Sequence, residues 1–207
     1  MDEKSKEVFV VLFAALILGI SISYGKGPLD YLIGIVSCAI VILVNVVVKN
    51  ITAHHFESDI VTKPWSIQRF GFQTRAKFKK PFPMIWLPLV LSMLSSAAFW
   101  WFAVLQFDAK PRVERMVRRH RSRHRKTHMT EEHIGLIAFS GLAANAVLAL
   151  ISVIFGLTFL AKISIVYALW ALVPISNLDG TKILFSHKGL WIFSAIVSVV
   201  LFVFIYQ

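Results

Sequence analysis

Four side chains have the types and spacing that could do chemistry: His54, His55, Glu57 and Asp179. Asp179 closes the stretch Leu172–Gly180, LVPISNLDG, after a nearly unbroken apolar run and before another that starts at Leu190. A carboxylate at or just inside a membrane edge is costly, so it is a functional candidate by default. His54 and Glu57 stand three apart and share one face if their segment is helical. With Asp179, and with His55 as a further donor, they would make a one-histidine, two-carboxylate site suited to zinc or another divalent ion. The plainer alternatives are a helix stop and interfacial turn at Asn177-Leu178-Asp179-Gly180, and a solvated or headgroup-facing patch at HHFE.

The elements that must position these groups follow from composition. Of 207 residues, 57% are hydrophobic and seventeen are Phe, with mean hydropathy +0.71. That exceeds the apolar share of soluble domains and indicates an integral membrane protein with room for five or six apolar segments. The lone cysteine, Cys38, lies in an apolar run and excludes a disulfide framework. The formal charge of +11 is concentrated in two loops, which orients the chain rather than naming a soluble partner.

Spans are expected at Val8–Tyr24, Leu29–Val48, Ile134 to about Ala161, Ile163–Leu178 and Leu190–Tyr206. The first is read as a retained helix rather than a signal peptide, since no small-x-small site follows it cleanly. IQRFGFQTRAKF alternates as one or two short strands would. Phe82–Phe107 is apolar but broken by Pro83 and Pro88. The flanking loops, 49–81 and 108–133, are both rich in Lys and Arg. A single crossing by 82–107 would put them on opposite sides, against the positive-inside rule; a segment that dips in and returns keeps both cytoplasmic. His54 and Asp179 then lie at the same membrane face.

Three stretches resemble the site-2 protease family of intramembrane zinc metalloproteases. VPISNLDGTKIL (Val173–Leu184) is similar to the family's N-x-L-P-x-P-P-L-D-G pattern, and the match places the third zinc-ligand role on Asp179. HIGLIAFSGLAANAVLAL (His133–Leu150) is similar to its G-x-I-x-x-A-G-P-x-x-N helix, matching at Gly141 and Asn145 with Leu142 for the proline. The third stretch follows the second span, where the family carries HExxH. The resemblance covers roughly residues 29–190 and implies substrate contact by Asn145 and Asn177.

Departures from the pattern bear on activity. With His54 as the second histidine, Asn50 replaces the first and Ile51 stands at the general-base position; with His54 as the first, His55 and Ser58 replace the glutamate and second histidine. Ala171 replaces an asparagine, and Ser176-Asn177 replace the double proline. The chemistry needs two imidazoles at i and i+4 to hold zinc and a glutamate to take a proton from its water. Loss of the base alone removes roughly 10²–10⁴-fold.

The expected fold is therefore an all-α integral membrane protein, one domain over 1–207, with about five transmembrane helices and a re-entrant, strand-containing segment. It divides into an N-terminal helix (1–28), a protease-like core (29–190), a basic cytoplasmic loop (108–133) and a C-terminal helix (190–207). The expected function is non-proteolytic binding of transmembrane segments of client proteins at the cell membrane, with zinc weak or absent. One alternative is an active zinc metalloprotease with non-standard ligands. Another is a basic membrane tether for anionic lipid or RNA, in which Arg118, Arg119, Arg121, Arg123 and Arg125 meet lipid headgroups or phosphates. Nucleic acid is not the expected partner, because no aromatic side chain interleaves the run. His120, His124 and His128 recur every four residues and would form a stripe on a helix, more suited to a pH response than to metal.

Overall fold

The structure, a computed structural model, describes residues 3–69, 77–112 and 130–207. Arg118, Arg119, Arg121, Arg123 and Arg125, with the histidine stripe beside them, lie outside these residues. In chain order the elements are α1 (Glu3–Ile22), α2 (Pro28–His55), β1 (Ser58–Pro64), β2 (Ser66–Arg69), β3 (Lys77–Pro83), α3 (Leu87–Ser95), β4 (Leu105–Pro111), α4 (Glu131–Ile154), α5 (Thr158–Ala171), α6 (Asp179–Ser186) and α7 (Lys188–Tyr206).

Among the described residues four helices, α1, α2, α4 and α7, are long and apolar enough to cross a membrane. Their outward residues are large and apolar, as in Leu32, Leu43, Ile154, Phe193 and Phe204. The fourth expected span, Ile163–Leu178, is shifted and shorter: its helix runs Thr158–Ala171. The helix α5 covers 14 residues, about 21 Å against a hydrocarbon core of about 30 Å. It stops at Ala171, because Pro174 lacks the N–H a continuing helix needs and disfavours helical backbone in the residue before it.

The stretch between α2 and α4 makes an excursion that returns to its start. β1 pairs antiparallel with β4, Ser58 opposite Pro111 and Pro64 opposite Leu105, and the Arg112 N–H donates to the Glu57 carbonyl at 3.1 Å. Between those ends the chain travels along α1. The Thr62 N–H donates to Glu7 Oε1 at 2.9 Å; Trp86 stands edge-on to Phe13, centroids 5.6 Å apart; and Ser21 Oγ donates to the Pro88 carbonyl at 3.0 Å. Glu7 to Ser21 is about 21 Å of helix. α3, nine residues long, is about 13–14 Å and does not span by itself.

The strand backbone beside α1 is covered by protein and paired, the condition under which non-helical backbone is tolerated inside a membrane. Phe102 and Val104 pack into one core with Ile17, Leu18, Cys38, Val41 and Tyr167. Trp65 and Ala103 pack with Leu178, and Met84, Trp101 and Trp170 close over them. Of the strands expected in IQRFGFQTRAKF, residues 70–76 lie outside the described residues; β2 holds its first three residues and β3 begins at its last two, and β2 and β3 pair with each other. A second core joins α2, α4, α5 and α6 through Ala53, Ile137, Ala138, Leu142, Ile165, Leu172 and Ile183.

Candidate functional site: a buried lysine–aspartate pair

Asp179 is positioned by the way α5 stops. After Ala171 the chain turns through 172–178, with Ser176 at φ 52° and the Leu178 N–H donating to the Ile175 carbonyl at 3.2 Å. Leu178, extended at φ −67° and ψ 164°, caps α6 and buries its side chain beside Trp65 and Ala103. Asp179 then occupies the first turn of α6, where the helix dipole favours a negative charge. Gly180 has a different task from the helix stop expected for it. A Cβ there would run into the carbonyl of Leu172, so glycine lets α6 close tightly onto the end of α5. The Trp191 indole N–H donates to that same carbonyl at 3.0 Å.

The group that meets Asp179 comes from α2, and it is Lys49. The buried face of α2 runs Gly34, Ser37, Cys38, Val41, Ile42, Asn45, Lys49 and Ala53, a stripe at helical spacing. Lys49 Nζ donates to Asp179 Oδ2 at 2.5 Å, with 8% and 7% of the two side chains exposed. Opposite, α4 presents Gly141. A Cβ there would press on Lys49 Cε and come within 2.9 Å of Asn45 Nδ2. The small residue therefore makes room for the lysine stem, a close-packing use of glycine between membrane helices.

Phe107 of β4 closes the site from a third direction. The Lys49 ammonium lies 5.0 Å from its ring centroid and the Lys182 ammonium 3.5 Å, both within cation–π range. Lys182 Nζ also donates to the Phe107 carbonyl. Burial pushes the Lys182 amine down to about 8; Asp179 opposes that shift, Lys49 adds to it and Asp108 opposes it. Several other buried polar atoms have no hydrogen-bond partner among the described residues: Asp179 Oδ1, Asn45 Nδ2, both side-chain polar atoms of Asn145, and Thr181 Oγ1. Asn145 lies on α4 one turn beyond Gly141, on the same buried stripe.

The candidate residues read from the sequence are not gathered around Asp179. His54 and His55 are exposed on the last turn of α2. His55 stands edge-on to Phe56, which lies 4.8 Å from the His133 ring. Glu57 follows the helix at φ 51°. His54 is five residues past Lys49, which on an α-helix is about 140° around and 7.5 Å along. Among the described residues no group of three or more His, Cys, Asp or Glu side chains is placed to hold a metal ion; His54, Glu57 and Asp179 do not form one. Ile51, assigned the general-base position by register, is 65% exposed on the outer side of α2. The i, i+4 pair on the inner side is Asn45 and Lys49. Asn145 is buried beside this site and Asn177 is exposed in the turn before Asp179.

Lys49 escaped the sequence reading because it sits at the end of an apolar run, where a lysine reads as the start of a loop. The usable signal was its spacing: Asn45 and Lys49 continue the stripe of small residues Gly34, Ser37 and Cys38. The donor set does not fit zinc, which takes three or four nitrogen, sulfur or oxygen ligands. An ammonium has no lone pair to give, and carboxamides are weak substitutes for imidazole. No family model, curated protein or solved structure matches this chain.

Proposed function

We propose that this chain is a site-2 protease-like membrane protein without proteolytic activity, which binds transmembrane segments of client proteins. One observation carries the reading: the aspartate of the LDG stretch is buried against the ammonium of Lys49, at the i+4 position from Asn45. In the resemblance, that face of α2 presents two histidines to the aspartate, with a glutamate beside the first. In this register Asn45 and Lys49 stand for the histidines and Val46 for the glutamate. The ammonium supplies the positive charge that Asp179 needs, and nothing in the register takes a proton from water. The returning excursion from Ser58 to Pro111 supports the likeness to a core with a re-entrant, strand-bearing segment, as does the contact of Lys49, near the end of α2, with Asp179.

Client binding is supported by the turn before Asp179. Ile175 and Asn177 are exposed, directly beside a site whose buried carboxamide and carboxylate atoms keep hydrogen-bonding capacity. A helix segment laid against this turn would offer backbone groups to it.

The test combines elemental analysis with capture. Full-length protein purified without chelator is expected to carry well under one divalent ion per chain. A photo-crosslinking residue at Asn177 is expected to capture single-span proteins from the membrane intact. Stoichiometric zinc together with chelator-sensitive cleavage of a single-span substrate would overturn the proposal.

A further inference from the structure

A cleft of about 540 Å³ opens between the start of α1 and the end of α2, floored by β1 and lined by Lys4, Glu7, Asn50, Asp59 and Arg112 among others. It shares no residue with the Lys49–Asp179 site. Lys4 and Glu7 belong to the first turns of one apolar helix and Asn50 to the last turns of another. For helices that cross a bilayer, that is the level of the lipid headgroups.

The lining has unused hydrogen-bonding capacity of both signs. Arg112 uses Nε on Asp59 Oδ1 at 2.7 Å and its backbone N–H on Glu57, which leaves its terminal guanidinium nitrogens. The Lys4 ammonium has no ion-pair partner among the described residues and is exposed. Among the described residues Glu7 engages Oε1 alone, with the Thr62 N–H. Asn50 donates to the Val46 carbonyl at 3.0 Å, so its amide oxygen can still accept.

Two cations beside two carboxylates select a ligand that carries both charges close together. A guanidinium and an ammonium match a phosphate oxygen pair. Glu7 and Asp59 repel a multiply charged anion. A carboxylate and an amide oxygen match a cation that has hydrogens to donate, which a quaternary ammonium lacks. We propose that this cleft binds the headgroup of a phosphatidylethanolamine-class phospholipid. Its phosphodiester lies on Lys4 and Arg112, and its primary ammonium on Glu7 and the Asn50 amide oxygen.

The experiment uses the full chain in detergent, with lipid retention read by native mass spectrometry. The lipids are phosphatidylethanolamine, phosphatidylcholine and phosphatidylglycerol, offered at equal mole fraction. The ethanolamine lipid is expected to be retained several-fold better than either of the others. Lys4→Gln and Arg112→Gln should each lower that retention about fivefold, as expected for one basic side chain at the headgroup level. Glu7→Gln should bring ethanolamine and choline lipids to the same retention. If Arg112→Gln fails to fold, the exposed Lys4→Gln decides. Equal retention of the three lipids by the wild type, or unchanged preference in Lys4→Gln and Glu7→Gln, would overturn the proposal. Water-soluble glycerophosphoethanolamine binding as tightly as the lipid would overturn the membrane lipid as the occupant.

Discussion

Breaking the Lys49–Asp179 pair from either side should cost far more than removing it whole. At 2.5 Å and an effective dielectric of about 20, two unit charges attract by roughly 7 kcal/mol, most of it offset by desolvating both groups. Deleting one partner leaves the other charge buried without compensation, typically about 3–5 kcal/mol. Lys49→Met keeps the stem that fills the space opposite Gly141, and Asp179→Asn keeps the shape of the α6 start. Each single variant should lose about 3–5 kcal/mol, whereas the double variant should lose much less than their sum, because methionine and asparagine leave no charge behind. The assay is reversible unfolding in mixed micelles for all four proteins. Losses that add to within about 0.5 kcal/mol would show that the two groups do not interact, and would refute the site as described.

Three further outcomes follow from the same packing. Gly141→Ala should destabilise by about 1–3 kcal/mol, since its methyl presses on a lysine that cannot leave its carboxylate; the same unfolding assay reads it. Lys182 binds its proton less tightly folded, at about 8, than unfolded, at 10.5, so the unfolded chain holds more protons between those values. Stability should therefore rise as pH climbs through that window, and a pH series of unfolding midpoints should lose this rise in Lys182→Met. Phe107→Leu removes the ring that both ammonium groups face while keeping an apolar side chain there. It should speed proteolysis or hydrogen exchange in β4 more than in α7, measured by exchange mass spectrometry.

Much of the architecture was legible because a membrane imposes a simple code. Apolar length located α1, α2, α4 and α7, whereas the pairing of β1 with β4, which joins the two ends of the stretch around Phe82–Phe107, was not marked by any pattern in those strands. What was not legible was how far each helix carried on. The run Ile163–Leu178 is mostly apolar, yet Pro174 ends the helix early and leaves Leu178 to cap a new one that starts at Asp179. The site was half legible: Asp179 stood out, but its partner did not. Histidines at the end of α2 drew attention by residue type, although helical phase turns His54 away and Lys49 inward. Phase, rather than residue type, decided the contact, and Gly141 on another helix was needed to see it.

The proposal rests on a lysine ammonium holding the aspartate, where a zinc protease would present two histidines to it. Direct observation of one reconstituted reaction tests it: full-length protein and a single-span substrate in the same bilayer, with zinc supplied, followed by mass spectrometry of the substrate. The account expects intact substrate, crosslinked at Asn177 and indifferent to chelator. Fragments cut within the span, and lost when zinc is removed, would contradict it.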